Sequence, residues 1–143
     1  MGKIVSVALA LTVGVLIAVG SAVAAGTTVP TYTVHMTGAQ EIPKGSPTGK
    51  GTFKYQLVTT SGLLCYSLKW SGIGTPFAAH VHKGAKGTAG PIVIPLSTSA
   101  PVAQSGCVRV TKSLLLAIKK KRSGYYVNVH TKKYMGGAIR GQL

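Results

Sequence analysis

Two runs of strict apolar and polar alternation limit what this chain can fold into. In Gly51-Thr52-Phe53-Lys54-Tyr55-Gln56-Leu57 the apolar residues are Phe53, Tyr55 and Leu57, with Lys54 and Gln56 between them. Successive side chains of a strand point to opposite faces, so this period gives one apolar face and one polar face. A Ser61-Gly62 turn leads into a second run, where Leu64, Tyr66, Leu68 and Trp70 repeat the pattern. The pair reads as a hairpin whose aromatic residues build one core layer.

Shorter extended segments surround it. In Thr31-Tyr32-Thr33-Val34-His35-Met36-Thr37, Tyr32, Val34 and Met36 share a face and His35 takes the other. Further strands are expected over 76–83, 92–96, 125–131 and the closing 137–143, with a brief extension at Val108-Arg109-Val110. Residues 97–105 read as a polar loop. Thr111 is placed to cap a short helix through Leu114, Leu115 and Ile118, whose one-sided spacing differs from the strands around it. The expected fold is all-β, a Greek-key β-sandwich or barrel with one short helix, preceded by an N-terminal signal segment.

That leader begins with Lys3, continues through the apolar run 4–19 and offers Ala22-Val23-Ala24 to a signal peptidase. Cleavage after Ala24 leaves a short segment, 25–30, and a domain over 31–143. About 119 residues suffice for one compact domain. An uncleaved leader is the alternative, because 4–25 carries no charge and is long enough to span a bilayer; membrane attachment is expected only in that case. Either route makes the protein secreted, periplasmic or cell-surface. Export into an oxidising compartment makes the two cysteines, Cys65 and Cys107, an expected disulfide. Alternation puts Cys65 on the face opposite the Leu64, Tyr66 and Leu68 stripe.

Sixteen Lys and Arg face a single acid, Glu41, for a formal net charge of +15. Such a surface attracts anionic surface polymers or lipid head groups. Specific nucleic-acid reading is not expected, since the densest basic block, Lys119-Lys120-Lys121-Arg122, has neither zinc-finger spacing nor interleaved aromatics. One carboxylate cannot supply the acid-base pair of a glycosidase, and no nucleophile elbow accompanies the serines. The glycines of 83–91 lack the order of a phosphate loop.

Imidazoles are what remains for chemistry. His80 and His82 are two apart on an expected strand, hence on one face and ~6.5–7 Å apart along the backbone. His130 ends another strand that can bring it to the same place. Three nitrogens without a carboxylate suit copper, with zinc as competitor, and suit calcium or magnesium poorly. The same pattern also serves packing and hydrogen bonding inside a fold. His35, on the outward side of its strand, is a weak fourth candidate.

Four ordered motifs carry a family resemblance: Gly38-Ala39-Gln40-Glu41-Ile42-Pro43, Ala79-His80-Val81-His82-Lys83-Gly84, Tyr126-Val127-Asn128-Val129-His130-Thr131 and Gly137-Ala138-Ile139-Arg140-Gly141-Gln142-Leu143. Through them the chain resembles the CHRD domain, named after chordin, in its secreted microbial form. The family tail has Pro-Gly-Gly-Glu before Ile-Arg-Gly, whereas Met135 and Ala138 stand at the proline and glutamate positions here. That exchange leaves Arg140 without its expected acidic neighbour. The resemblance implies an extracellular β module with a non-catalytic binding or structural role. A more distant resemblance, through His80-Val81-His82 before a Gly-rich loop and Val129-His130 on a late strand, is to the copper half of the copper-zinc superoxide dismutase sandwich. It implies a single copper held by His80, His82 and His130. The alternative function is then a copper-only dismutase-like oxidoreductase, with Arg140 guiding a small anion.

Overall fold

The computed structural model describes residues 28–143 together with Gly2. The leader expected over 1–24 and the start of the 25–30 segment therefore lie outside the described residues. Eight strands and one helix follow: β1 (Thr31–Thr37), β2 (Lys50–Val58), β3 (Leu63–Ser71), β4 (Pro76–Lys83), β5 (Ile92–Ser97), β6 (Ser105–Arg109), α1 (Lys112–Lys120), β7 (Tyr125–Thr131) and β8 (Ile139–Gln142). All strand pairs are antiparallel, in the order β5-β4-β7-β8-β1-β2-β3-β6. This single sheet is nearly closed into a barrel.

The hairpin read from alternation is present in full. Phe53 pairs with Leu68 and Tyr55 with Tyr66 across β2 and β3. These four are buried on the inner face, and Phe53 and Tyr55 stack with centroids 5.2 Å apart. Trp70, near the end of its strand, is only partly buried against the core. The helix is capped as expected: the Thr111 hydroxyl accepts from the Leu114 N–H at 3.4 Å, and Leu115 and Ile118 are fully buried in the core.

The sheet ends in β5 on one side and β6 on the other. Tyr66 of β3 donates its hydroxyl hydrogen to the Leu96 carbonyl of β5 at 3.1 Å. Strand β6 starts earlier than the sequence pattern suggests, at Ser105, because it is selected by backbone pairing with β3. Its residues Ser105, Gly106 and Cys107 are all exposed and carry no alternation to read.

Cys65 and Cys107 are directly opposite each other on β3 and β6 and form a disulfide across 42 residues of chain. Cys65 lies on the outer face, away from the Leu64, Tyr66 and Leu68 stripe. The bridge fits an oxidising compartment. It fastens β6, whose only strand partner among the described residues is β3, to the barrel. Replacing both cysteines by alanine is expected to lower the unfolding free energy by about 2–4 kcal/mol, the usual contribution of a closure of this length. A denaturant titration that leaves the midpoint unchanged would show that β6 needs no covalent tie.

Candidate metal centre

Strand β7 is buried on both faces. Val127 and Val129 point into the core, and alternation sends Tyr126, Asn128 and His130 outward. Beside it on β4, Ala79 and Val81 face inward while Ala78, His80 and His82 face outward. The register pairs Ala78 with His130, His80 with Asn128 and His82 with Tyr126. On the other side of β7, Arg140 pairs with Asn128 and Gln142 with Tyr126. The three histidines thus meet on the outer face of the sheet, across the β4–β7 pair.

One ligand nitrogen of each of His80, His82 and His130 lies within 4.8 Å of the others. Ring centroids are 5.0 Å apart for His80 and His130, 5.7 Å for His80 and His82 and 6.4 Å for His82 and His130. Strand β4 slips register against β5 between Ala79 and His80 and again between Val81 and His82. Bulges of this kind re-aim side chains beside functional sites. His35 is exposed on β1 and takes no part in the cluster.

Two of the rings have their tautomer set by backbone. His82 Nδ1–H donates to the Gly90 carbonyl at 2.8 Å and His130 Nδ1–H to the Met135 carbonyl at 2.9 Å, since a carbonyl can only accept. In the neutral rings both Nε2 atoms then carry lone pairs. Each lies 3.0 Å from the same atom, Oδ1 of Asn128. His80 Nδ1 is buried with no hydrogen-bond partner. Burial lowers the His80 pKa to about 4, with further lowering from His130 and His82. His130 is also lowered by burial, partly offset by its bond to the Met135 carbonyl. Neutral imidazole is the form that binds metal.

The Gly-rich segment after β4 is the cover of this face. Lys83 N–H donates to the Pro91 carbonyl at 3.0 Å, and the Tyr126 hydroxyl accepts from Gly90 N–H at 3.1 Å. A Cβ at Gly90 would overlap the Lys83 carbonyl, so only glycine lets the chain return closely enough for its own carbonyl to hold His82. Arg140 fastens the same loop, donating to the Thr88 carbonyl at 2.8 Å and the Ala85 carbonyl at 3.0 Å. Its guanidinium lies 3.4 Å from the Tyr126 ring centroid, and His82 stacks on that ring at 4.7 Å.

Arg140 is therefore neither unpartnered nor free to guide an anion: it is 2 % exposed, and Nη1 and Nη2 each donate to a loop carbonyl. Its acidic neighbour comes from elsewhere in the chain. Glu41, 4 % exposed, packs where a side chain at position 137 would sit, and Gly137 leaves that space open. Burial pushes the Glu41 carboxyl up to about 7 against the attraction of Arg140 and hydrogen bonding from Asn128 and the Ile42 backbone. Asn128, Glu41 and the carbonyls of Gly90 and Met135 were not singled out from sequence as parts of the site. The register of β4 against β7 is the signal that exposes Asn128; the loop carbonyls have no side-chain signature.

A cavity of about 740 Å³ is bounded by Ile73, Phe77, Thr131 and Tyr134 and by none of the three histidines. No curated protein and no solved structure matches the chain, so the distant likeness to the dismutase sandwich gains nothing from those comparisons. The model of the CHRD domain matches residues 32–143, which takes in all eight strands but the first residue of β1, the helix and every residue of the histidine cluster. On that match the chain belongs to the CHRD domain family.

Proposed function

We propose that this CHRD domain is a non-catalytic extracellular β module that holds one transition-metal ion, copper ahead of zinc, through His80, His82 and His130. The observation that carries the reading is the direction of the lone pairs. Backbone carbonyls hold both Nδ1 hydrogens of His82 and His130, so their Nε2 lone pairs face a common point beside an unpartnered nitrogen of His80. Lone pairs brought together need an electrophile between them. Three neutral imidazoles favour copper by ligand preference and by the order of divalent-ion affinities, which also makes zinc the competitor. The carbonyl bonds to Nδ1 are the outer-shell pattern that orients metal-bound histidine.

Asn128 fits as the switch between the metal-free and metal-bound forms. Its amide can turn either group toward the imidazoles, since oxygen and nitrogen occupy equivalent positions. With NH2 inward it donates one hydrogen to each Nε2; with Oδ1 inward it adds an oxygen to the ligand set. Export supports the extracellular placement, with the leader expected over 1–24 and a disulfide suited to an oxidising compartment. The dismutase alternative loses its anion guide, because Arg140 is committed to the loop carbonyls.

Titration of the full chain with copper and zinc against a chromophoric chelator is expected to show one site, with calcium and magnesium not competing. His80→Ala, His82→Ala and His130→Ala should each weaken binding by about 100-fold or more, beyond the 10–100-fold typical of outer-shell losses. Saturation at about 100 times Kd should raise unfolding free energy by about 2.7 kcal/mol. Unchanged affinity in all three variants would refute the site.

A second outcome separates Asn128 from the three histidines. Asn128→Leu is expected to reduce metal affinity by about 10–100-fold without abolishing it, and to destabilise the metal-free protein by about 1–3 kcal/mol through two unpaired buried Nε2 atoms. Asn128→Asp, which keeps an oxygen and adds charge, should bind metal at least as tightly as the natural chain. Equal loss in both variants would reduce Asn128 to a packing residue.

A further inference from the structure

The single acid of this chain is buried beside Arg140, which leaves the surface lysines without a carboxylate side chain to pair with. Their counter-charge has to come from another molecule. Most of them stand on loops or at the helix end, but three are fixed on one rigid plane. Lys50 and Lys54 point outward from β2, and Lys69 points outward from β3 opposite Thr52. Strand geometry sets Lys50 and Lys54 ~13–14 Å apart at the backbone, with Lys69 between them, ~8 Å from each. Those spacings are comparable to the Debye length of about 8 Å at physiological salt, so the three charges act together on one ligand.

The ground between the cations is polar. Two shallow depressions, about 390 and 300 Å³, share Thr52 and Lys69 and so form one trough. Ser67 lines one part, and His35 and Thr37 of β1 line the other. We infer that this outer face of β1, β2 and β3 binds a linear anionic polysaccharide, with the lysines on its acidic groups and Thr52 and Ser67 on sugar hydroxyls. A single-stranded nucleic acid would call for a series of aromatic platforms, and none of the outward residues of β1, β2 and β3 is Phe, Tyr or Trp. A bilayer would call for apolar residues to insert, whereas the exposed large apolar residues, Ile42, Ile92, Leu116 and Met135, all lie off this face. The inference is independent of the metal centre, which occupies the outer face of β4 and β7.

The test compares dextran sulfate with neutral dextran in binding assays on the full chain at 150 mM salt. One triple variant carries Lys50→Ala, Lys54→Ala and Lys69→Ala; the other removes equal charge at the end of α1 with Lys119→Ala, Lys120→Ala and Lys121→Ala. None of the six residues is in the core, and thermal melts of both variants verify folding. The expected result is tight binding of dextran sulfate alone, weakened about tenfold or more by the sheet variant and less than about threefold by the helix variant. Equal losses in both triple variants would overturn the inference in favour of undirected charge. So would tighter binding of oligo(dT) or of phosphatidylglycerol vesicles that the sheet variant equally abolishes.

Discussion

Everything at the candidate centre depends on one strand being buried on both sides. Inner-face Val127 and Val129 belong to the hydrophobic core, and outer-face Tyr126 and Asn128 are buried as deeply under the Gly-rich loop. An apolar outer layer would make this an ordinary two-layer β structure. The layer is polar instead, and buried polar groups cost stability unless they find partners. Tyr126 satisfies its hydroxyl on Gly90, Arg140 on Ala85 and Thr88, and Gln142 on the carbonyls of Gly84, Ser123 and Tyr125. His80 Nδ1 and Glu41 Oε1 are the members left over, each buried without a hydrogen-bond partner. Of the two, the His80 nitrogen is the one among convergent imidazoles, and the metal proposal rests on that convergence.

Electrostatics divides the molecule into two regimes. Beneath the loop, one carboxylate and one guanidinium are held out of water, and the Glu41 carboxyl titrates near neutrality as a result. Over the rest of the surface cations stand alone, because no further acid exists to meet them. The two regimes share no side chains and sit on different parts of the barrel. The proposed metal binding and the proposed attraction of anions are therefore separable.

Much of the fold was legible because alternation was undisturbed. Phe53, Tyr55, Leu57, Leu64, Tyr66 and Leu68 announce their faces directly, and Thr111 announces a helix start through its hydroxyl. Strand β6 was shortened in the reading because Ser105 to Cys107 are exposed and follow no pattern. The histidine trio was legible by the same period-of-two logic, once His80 and His82 share a face and His130 is on a neighbouring strand. Its location was not, since no local pattern reveals that a glycine loop will fold back and bury the outer face. The displacement of the acidic role from position 138 to Glu41 was equally hidden: it rests on a contact between residues almost a hundred apart, through the space left by Gly137.

The most direct measurement is a crystal structure of the copper-loaded or zinc-loaded protein with anomalous scattering recorded at the metal edge. The account predicts one strong peak on the outer face of β4 and β7, bonded at ~2.0–2.1 Å to Nε2 of His82, Nε2 of His130 and a nitrogen of His80. A peak at the exposed His35 alone, or no peak between the three rings while Asn128 turns its NH2 group to both Nε2 atoms, would contradict it.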